Sequence, residues 1–348
     1  MDQVPQLLKE HMQNHPGLEL QDAVKFLYQS FLGPGHLIQD EPTALARLIR
    51  ELDQVEADPK GPLYEPVGHG LCRLHLAACK GNHLSPQTLC RMFVLTAQEV
   101  KPDPAAFQHS LSLLETGLYP PEEVAAFLKD YRAQGYPPIS HSATYRTSYA
   151  PAYRIVWERF AKLVPILAAI DSLLSTQPQT RVAIDGPCAS GKTTLGQTLA
   201  SLYRCPLFHM DDFFLRPEQR TPQRLGEPGG NVDYERFAHQ ILAPLCAGTP
   251  VHVLPWNCHE GIFGPERVVP PAPLALVEGS YSLHPLLQDQ YHLRIWVEAP
   301  WSLREKRLLQ RGGPDCLERF RSRWIPMEDR YFETFQIKKC CHITYSGI

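Results

Sequence analysis

Between Gly186 and Thr193 the chain reads Gly-Pro-Cys-Ala-Ser-Gly-Lys-Thr, a full match to G-x-x-x-x-G-K-[ST]. It follows the apolar run "RVAI" (Arg181–Ile184) and precedes a helical pattern. A strand, a glycine-bounded loop and a helix in that order are the context in which such a loop holds phosphate, and a chance match in a glycine-rich turn would lack it. Glycines let the backbone curl so that several N–H groups face one anion. The helix that starts near Lys192 aims its positive end at the same place. Gly186, Pro187, Cys188, Ala189, Ser190, Gly191, Lys192, Thr193 and Thr194 are therefore expected to surround the phosphates of a nucleotide. Lys192 would reach the β- and γ-phosphates, and the Thr193 hydroxyl would bind Mg²⁺. Cys188 reads most simply as a tolerated small residue, with a redox switch as the alternative.

The rest of the second half fits this loop. "PLFHM" (Pro206–Met210), "VHVL" (Val251–Leu254), "LALV" (Leu274–Val277) and "LRIWV" (Leu293–Val297) are short β-rich apolar runs separated by helical or turn-rich segments. They predict buried parallel strands in an α/β sheet flanked by helices. Ligands of such sheets bind at the carboxyl ends of the strands. Asp211 and Asp212 follow the second run, and Glu278 follows the "LALV" run. A carboxylate there can take a proton from an attacking hydroxyl or help hold Mg²⁺. The bland reading of Asp211-Asp212 is a turn or a helix cap.

The phosphate loop, "DDFF", "NVDYERF", "VEGSYSL" and "RIWVEAPWSLREKRLLQR" occur in the order found in the uridine kinase/phosphoribulokinase family, and the chain resembles that family from about residue 178 to its end. The resemblance implies ATP and Mg²⁺, Asp211 as general base, and Glu278 as an acid on the Mg²⁺ side. It implies that Asp233 contacts the acceptor's hydroxyls. It also implies a lid in which Arg304, Arg307 and Arg311 grip the transferring phosphate; spaced by three and four, they would share a helix face. For each arginine a solvated helix face is the plain alternative. The chain departs from the family where uridine kinases recognise the base. The region here reads "VLPWNCHEGIFG", in which Trp256-Asn257 and His259 stand where a Tyr-Asp pair and a histidine are expected, in no fixed register. Phosphorylation of a hydroxyl follows from the resemblance; uridine as acceptor does not.

The chain has 348 residues, which suggests two domains. Its first half reads as helices, including "LQDAVKFLYQSFL", "PTALARLIRELDQV" and a last long helix from about Pro151 to Leu174. The polar segment Ser175–Thr180 reads as the linker, so an all-helical domain over 1–175 would precede a P-loop kinase domain over 176–348. Hydrophobic residues are 43% and charged residues 20%, an ordinary globular composition. A net charge of -3 gives no case for nucleic acid or an anionic membrane. No apolar run is long enough to span a bilayer, and no signal-peptide core is present, so a cytoplasmic chain is expected. The 10 scattered cysteines contain no C-x-x-C, which argues for reduced thiols and against zinc.

The leading half matches no motif with a derivable mechanism. "FLGPGHLI" leaves His36 after a glycine-proline break, "GHGLCRLHL" carries His69, Arg73 and His75, and "HSATYRTSYAPAYRI" packs Tyr145, Arg146, Tyr149, Tyr153 and Arg154 closely. Such density suits an anion pocket or a set of structural pins. The functional version expects Arg146 and Arg154 to serve acceptor binding. Together these observations point to ATP- and Mg²⁺-dependent transfer of the γ-phosphoryl group to a small-molecule hydroxyl, nucleoside or sugar-like. The alternatives are a kinase for a non-nucleoside metabolite alcohol and an ATP-binding switch with slow hydrolysis. The partner is a small-molecule acceptor, with a homo-oligomer left open.

Overall fold

The computed structural model describes residues 3–346 except Thr116, Leu118 and His259. The chain forms two compact units, Met1–Asp171 and Ser172–Ile348. Their division falls inside the helix Val164–Thr176; of the polar segment after Leu174, Ser175 and Thr176 end that helix, residues 177–179 are irregular and Thr180 begins the next strand.

The first unit is not all-helical. Helices Val4–Asn14, Leu20–Leu32 and Pro86–Glu99 surround an antiparallel sheet of β1 (Tyr64–Gly68), β2 (Leu71–His75) and β3 (Tyr153–Trp157), in that order. The expected long helix from Pro151 is instead β3 followed by the helices Glu158–Ala161 and Val164–Thr176. The physical reason is burial on both faces. β2 is "LCRLH", buried at its first four positions, so it shows no alternation of apolar and polar residues. β1 carries Pro66, with an irregularity in its pairing between Pro66 and Gly68. At the centre of this sheet lies Arg73, 1% exposed. Its Nε donates to Gln29 Oε1 (2.9 Å), Nη1 to His11 Nε2 (2.9 Å), and Glu65 lies 3.5 Å away. Its guanidinium packs between the rings of Phe26 and Tyr153. A charge this deep persists because it is paired.

The second unit is an α/β fold with a P-loop-type parallel sheet. Five parallel strands lie in the order β12 (Ile343–Ser346), β11 (Leu293–Glu298), β4 (Thr180–Asp185), β10 (Leu274–Glu278) and β5 (Leu207–His209). β10, "LALVE", is buried at every position, as a strand covered by helices on both sides must be. The run at Val251 does not join this sheet. β6 (Val251–Val253) pairs antiparallel with β9 (Arg267–Val269), and a small hairpin of β7 (Trp256–Asn257) and β8 (Ile262–Phe263) lies between them in sequence. The alternation of buried Val251, exposed His252 and buried Val253 marks a half-covered strand, which an antiparallel pair tolerates and a central parallel strand does not.

Register places the site. Glu278, last in β10, is level with Ile184 of β4 on one side and His209 of β5 on the other. The loop after β4, the turn after β5 and the end of β10 therefore meet at one edge of the sheet.

Candidate active site

β4 ends at Asp185, the loop runs from Gly186 to Gly191, and the helix Lys192–Tyr203 follows. Gly186 has φ +145°, and a Cβ there would lie 2.0 Å from the Val297 carbonyl oxygen. Gly191 takes φ +109° at the helix start. Only glycine meets both demands, so the motif's glycines are fixed by backbone geometry. Lys192 Nζ donates to the carbonyls of Gly186 (2.7 Å) and Pro187 (3.0 Å), which folds the side chain back over the loop. Thr193 Oγ1 lies 3.2 Å from both oxygens of Glu278. Ser190 Oγ is buried with no partner among the described residues. An inward-curled backbone, a buried ammonium and an unpaired hydroxyl form a cradle suited to phosphate oxygens.

Three side chains that sequence reasoning missed hold this cradle. Asp185 accepts from Gly186 N (2.7 Å), Leu283 N (3.0 Å) and the Tyr331 hydroxyl (2.9 Å). Burial pushes its carboxyl up to about 6, against the lowering effect of these bonds and of Lys192. Glu328, 5% exposed, accepts from Cys188 N (2.9 Å) and from the Ser280 hydroxyl (2.6 Å). His209 Nδ1 lies 2.6 Å from Glu278, and that bond, ahead of the opposing burial, raises the imidazole's pKa. A period or motif scan cannot find Glu328 or Tyr331, because their partners lie 140 and 146 residues away. His209 was findable as the last residue of the strand preceding Asp211.

Asp211 and Asp212 lie in a 3₁₀ turn, Met210–Phe213, directly after β5. Asp211 is exposed, yet neighbouring groups strip part of its water. That partial loss of water raises its carboxyl; Lys192 and Arg311 act against the rise and Glu278 with it. Asp212 is raised too, with His209 and Arg267 opposing. Asp233 caps the short helix Tyr234–Phe237: its Oδ1 accepts from Arg236 N (3.1 Å) and Oδ2 from Gln219 Nε2 (2.7 Å). Both carboxylate oxygens are thus engaged within the protein. His259 lies outside the described residues. Trp256 packs edge-on against Phe263 in the β7–β8 hairpin.

The three arginines divide. Arg304 donates from Nε to the Cys188 carbonyl (2.8 Å), and Arg307 Nη1 donates to the carbonyls of Ala189 (3.0 Å) and Ser190 (3.1 Å). Both therefore brace the loop's carbonyl side. Arg311 is exposed, and its charge acts on Asp211. All three belong to the helix Trp301–Arg319, which breaks at Gly312–Gly313 before Pro314. Cys188 is buried, and burial ahead of Glu328 pushes its thiol up to about 11. A thiol so firmly protonated is a poor redox switch.

In the first unit His11, His15 and Glu65 bring possible metal-ligating atoms within 4.8 Å of one another. The donor set does not fit a metal. His11 Nδ1 is engaged by Glu65 (2.5 Å), and Nε2 receives a hydrogen bond from the permanently charged Arg73. Burial, ahead of Arg73, holds His11 neutral, with its pKa lowered to about 4.

No family model matches the chain, and no curated protein does. Among solved structures it is similar to a possible uridine kinase from Bacillus stearothermophilus, at 21% identity and TM-score 0.40, over 52% of this chain and 98% of that one. A protein from Silicibacter sp. TM1040, provisionally assigned as a fructose transport system kinase, aligns at 22% identity and TM-score 0.40, over 49% and 91%. Shikimate kinase from Acinetobacter baumannii aligns at 18% identity and TM-score 0.28, over 49% and 85%. At these scores the likeness carries no argument about activity. No helix among the described residues is long and apolar enough to cross a membrane.

Proposed function

We propose that the chain is an ATP- and Mg²⁺-dependent phosphotransferase that moves the γ-phosphoryl group to a hydroxyl of a small molecule, nucleoside or sugar-like. The observation that carries this reading is the convergence of Lys192, Thr193 and Glu278 at the loop, with Asp211 on the neighbouring turn. A loop that only held nucleotide would need no second acid facing the same lysine.

The loop amides and Lys192 would hold the triphosphate, and Thr193 and Glu278 would hold Mg²⁺. The metal would supply charge neutralisation as the bond to the leaving oxygen breaks. Asp211 takes the proton of the acceptor hydroxyl as that oxygen bonds to phosphorus, and ADP departs with the electron pair of the broken P–O bond. A carboxyl raised above its ordinary value is a better base than a free aspartate. Arg304 and Arg307 keep the loop in shape, and Arg311 adds positive charge beside Asp211.

The test is ADP release measured over a panel of nucleosides, sugars and non-nucleoside alcohols. Stimulation by one class, lost in Lys192→Met, supports the transferase. A flat background across the panel, with ATP still bound, would reject it in favour of a nucleotide-operated switch.

A further inference from the structure

The first unit holds a second polar concavity that the transferase reading leaves unused. A cavity of about 400 Å³ is lined by Lys25, Ser140, His141, Arg146, Ala150 and Pro151. Two of these six side chains carry positive charge and none carries a carboxylate. Arg146 is exposed, and no hydrogen bond or ion pair among the described residues holds its guanidinium. Lys25 Nζ makes one hydrogen bond, to the Ile139 carbonyl (2.8 Å), which leaves two ammonium hydrogens for another partner. Burial, and after it the nearby Arg73, pushes Lys25 down to about 8. Its charge is thus under-compensated where it stands.

The wall behind these cations is tied together by hydrogen bonds. His141 Nδ1 lies 2.8 Å from Asp22 Oδ1, so that nitrogen carries the proton, and Nε2 accepts from the Tyr153 hydroxyl (2.6 Å). Asp22 is the nearby acid, but it is buried and committed to Ser142 N (3.0 Å), Ser142 Oγ (2.6 Å) and His141. The His141 ring stacks on Tyr145 at 4.3 Å. Ala150, a residue with a Cβ, takes a left-handed conformation (φ +40°, ψ +56°) on the rim, just before Pro151. Such strain in a non-glycine residue gathers at binding sites.

We infer that this cavity binds the dianionic phosphate group of a small phosphate monoester. Two cations and no acid in one cavity lining match a dianion, whereas a carboxylate would leave one of them unbalanced. Arg154, eight residues beyond Arg146, has no part in it. It pairs with Glu51 (2.7 Å) and lies over Phe93, so the two arginines of this segment have separate roles. A phosphate monoester is also the product class of an alcohol kinase; that link rests on the reading above, while the site does not.

The test follows the reactivity of the Lys25 amine, which a bound anion would cover and hold protonated. The full chain is trace-labelled with acetic anhydride, and acetylation of the Lys25 and Lys192 peptides is followed separately by mass spectrometry. Inorganic phosphate and glycerol 3-phosphate should each slow acetylation of Lys25, while glycerol and chloride of matched ionic strength leave it unchanged. Arg146→Ala should weaken the glycerol 3-phosphate midpoint at Lys25 by about tenfold and leave the melting temperature unchanged. Unprotected Lys25, equal protection by chloride, or a midpoint indifferent to Arg146→Ala would overturn the site. Better protection by D-glycerate than by glycerol 3-phosphate would overturn the phosphate class, and protection by inorganic phosphate alone would overturn the ester. Because Lys192 is read on its own peptide, failure at Lys25 and failure of the phosphate loop are separate results.

Discussion

The backbone N–H of Cys188, inside the phosphate loop, donates to Glu328 Oε2 at 2.9 Å. An acid from a helix far along the chain thus takes one of the loop's own amides, and the Ser280 hydroxyl takes its other oxygen. Glu328→Met keeps the length of the side chain but removes both acceptor oxygens, so the Cys188 N–H loses its partner. Leaving one buried donor unpaired costs about 1–3 kcal/mol. Thermal melts should show that loss, and calorimetric titration should show ATP affinity weakened by about tenfold. If both are unchanged, Glu328 fills space and does not shape the loop.

Lys192 has two jobs in the structure, because its ammonium closes on the Gly186 and Pro187 carbonyls. Lys192→Met keeps the stem and removes the charge. Steady-state ADP release should fall by at least about 10²-fold, the loss seen when a preorganised charge aimed at a developing anion is removed. Stability should fall by no more than about 3 kcal/mol, the upper range for hydrogen bonds to a charged group. Wild-type turnover in this variant would remove the loop from the chemistry.

Asp211 and Asp212 are neighbours with different surroundings. Asp211 feels Lys192 and Arg311; Asp212 feels His209 and Arg267. Asp211→Asn should lower kcat by roughly 10²- to 10⁴-fold and leave ATP binding intact. Asp212→Asn should have a small effect on kcat. The reverse pattern would move the base by one residue.

Arg154 pairs with Glu51 and packs on Phe93, so its truncation removes structure. Arg154→Ala should lower stability by about 1–3 kcal/mol, read in a urea melt, with the KM for the acceptor unchanged. A raised KM at unchanged stability would return Arg154 to a binding role.

What the sequence made legible has a common physical form. Gly186, Gly191, Lys192 and Thr193 are bound by local backbone geometry, and local geometry is written in consecutive residues. β4, β10 and β11 are largely apolar runs because both their faces are mostly covered. The failures are equally physical. β2 holds a fully buried arginine, which a hydrophobic pattern scores as surface. β3, "YRIVW", merges with the helical pattern that follows it. Glu328 and Tyr331 act on residues whose distance along the chain leaves no periodic trace.

Asp185 gives the second unit a pH dependence of a definite sign. An unfolded aspartate titrates near 3.8, and burial raises the folded carboxyl to about 6. The folded state therefore holds this proton more tightly than the unfolded chain does. Above the folded pKa the ionised group carries its full burial cost. As pH falls through about 6 the fold gains stability from this residue, and the gain is complete near the unfolded pKa. At 1.36 kcal/mol per unit it is on the order of 3 kcal/mol. Other groups titrate in the same range; His11, lowered to about 4, loses stabilising effect on acidification. A difference measurement cancels them, because they titrate alike in the wild type and in Asp185→Asn. The variant has no proton to gain and keeps one acceptor oxygen, so it starts with a deficit among the Gly186, Leu283 and Tyr331 bonds. The stability gap between wild type and variant should therefore widen as pH is lowered from about 7.5 to about 5, followed by urea melts at each pH. A gap that stays constant or narrows would show that Asp185 titrates near its ordinary value, and that its three hydrogen bonds outweigh the burial of its charge.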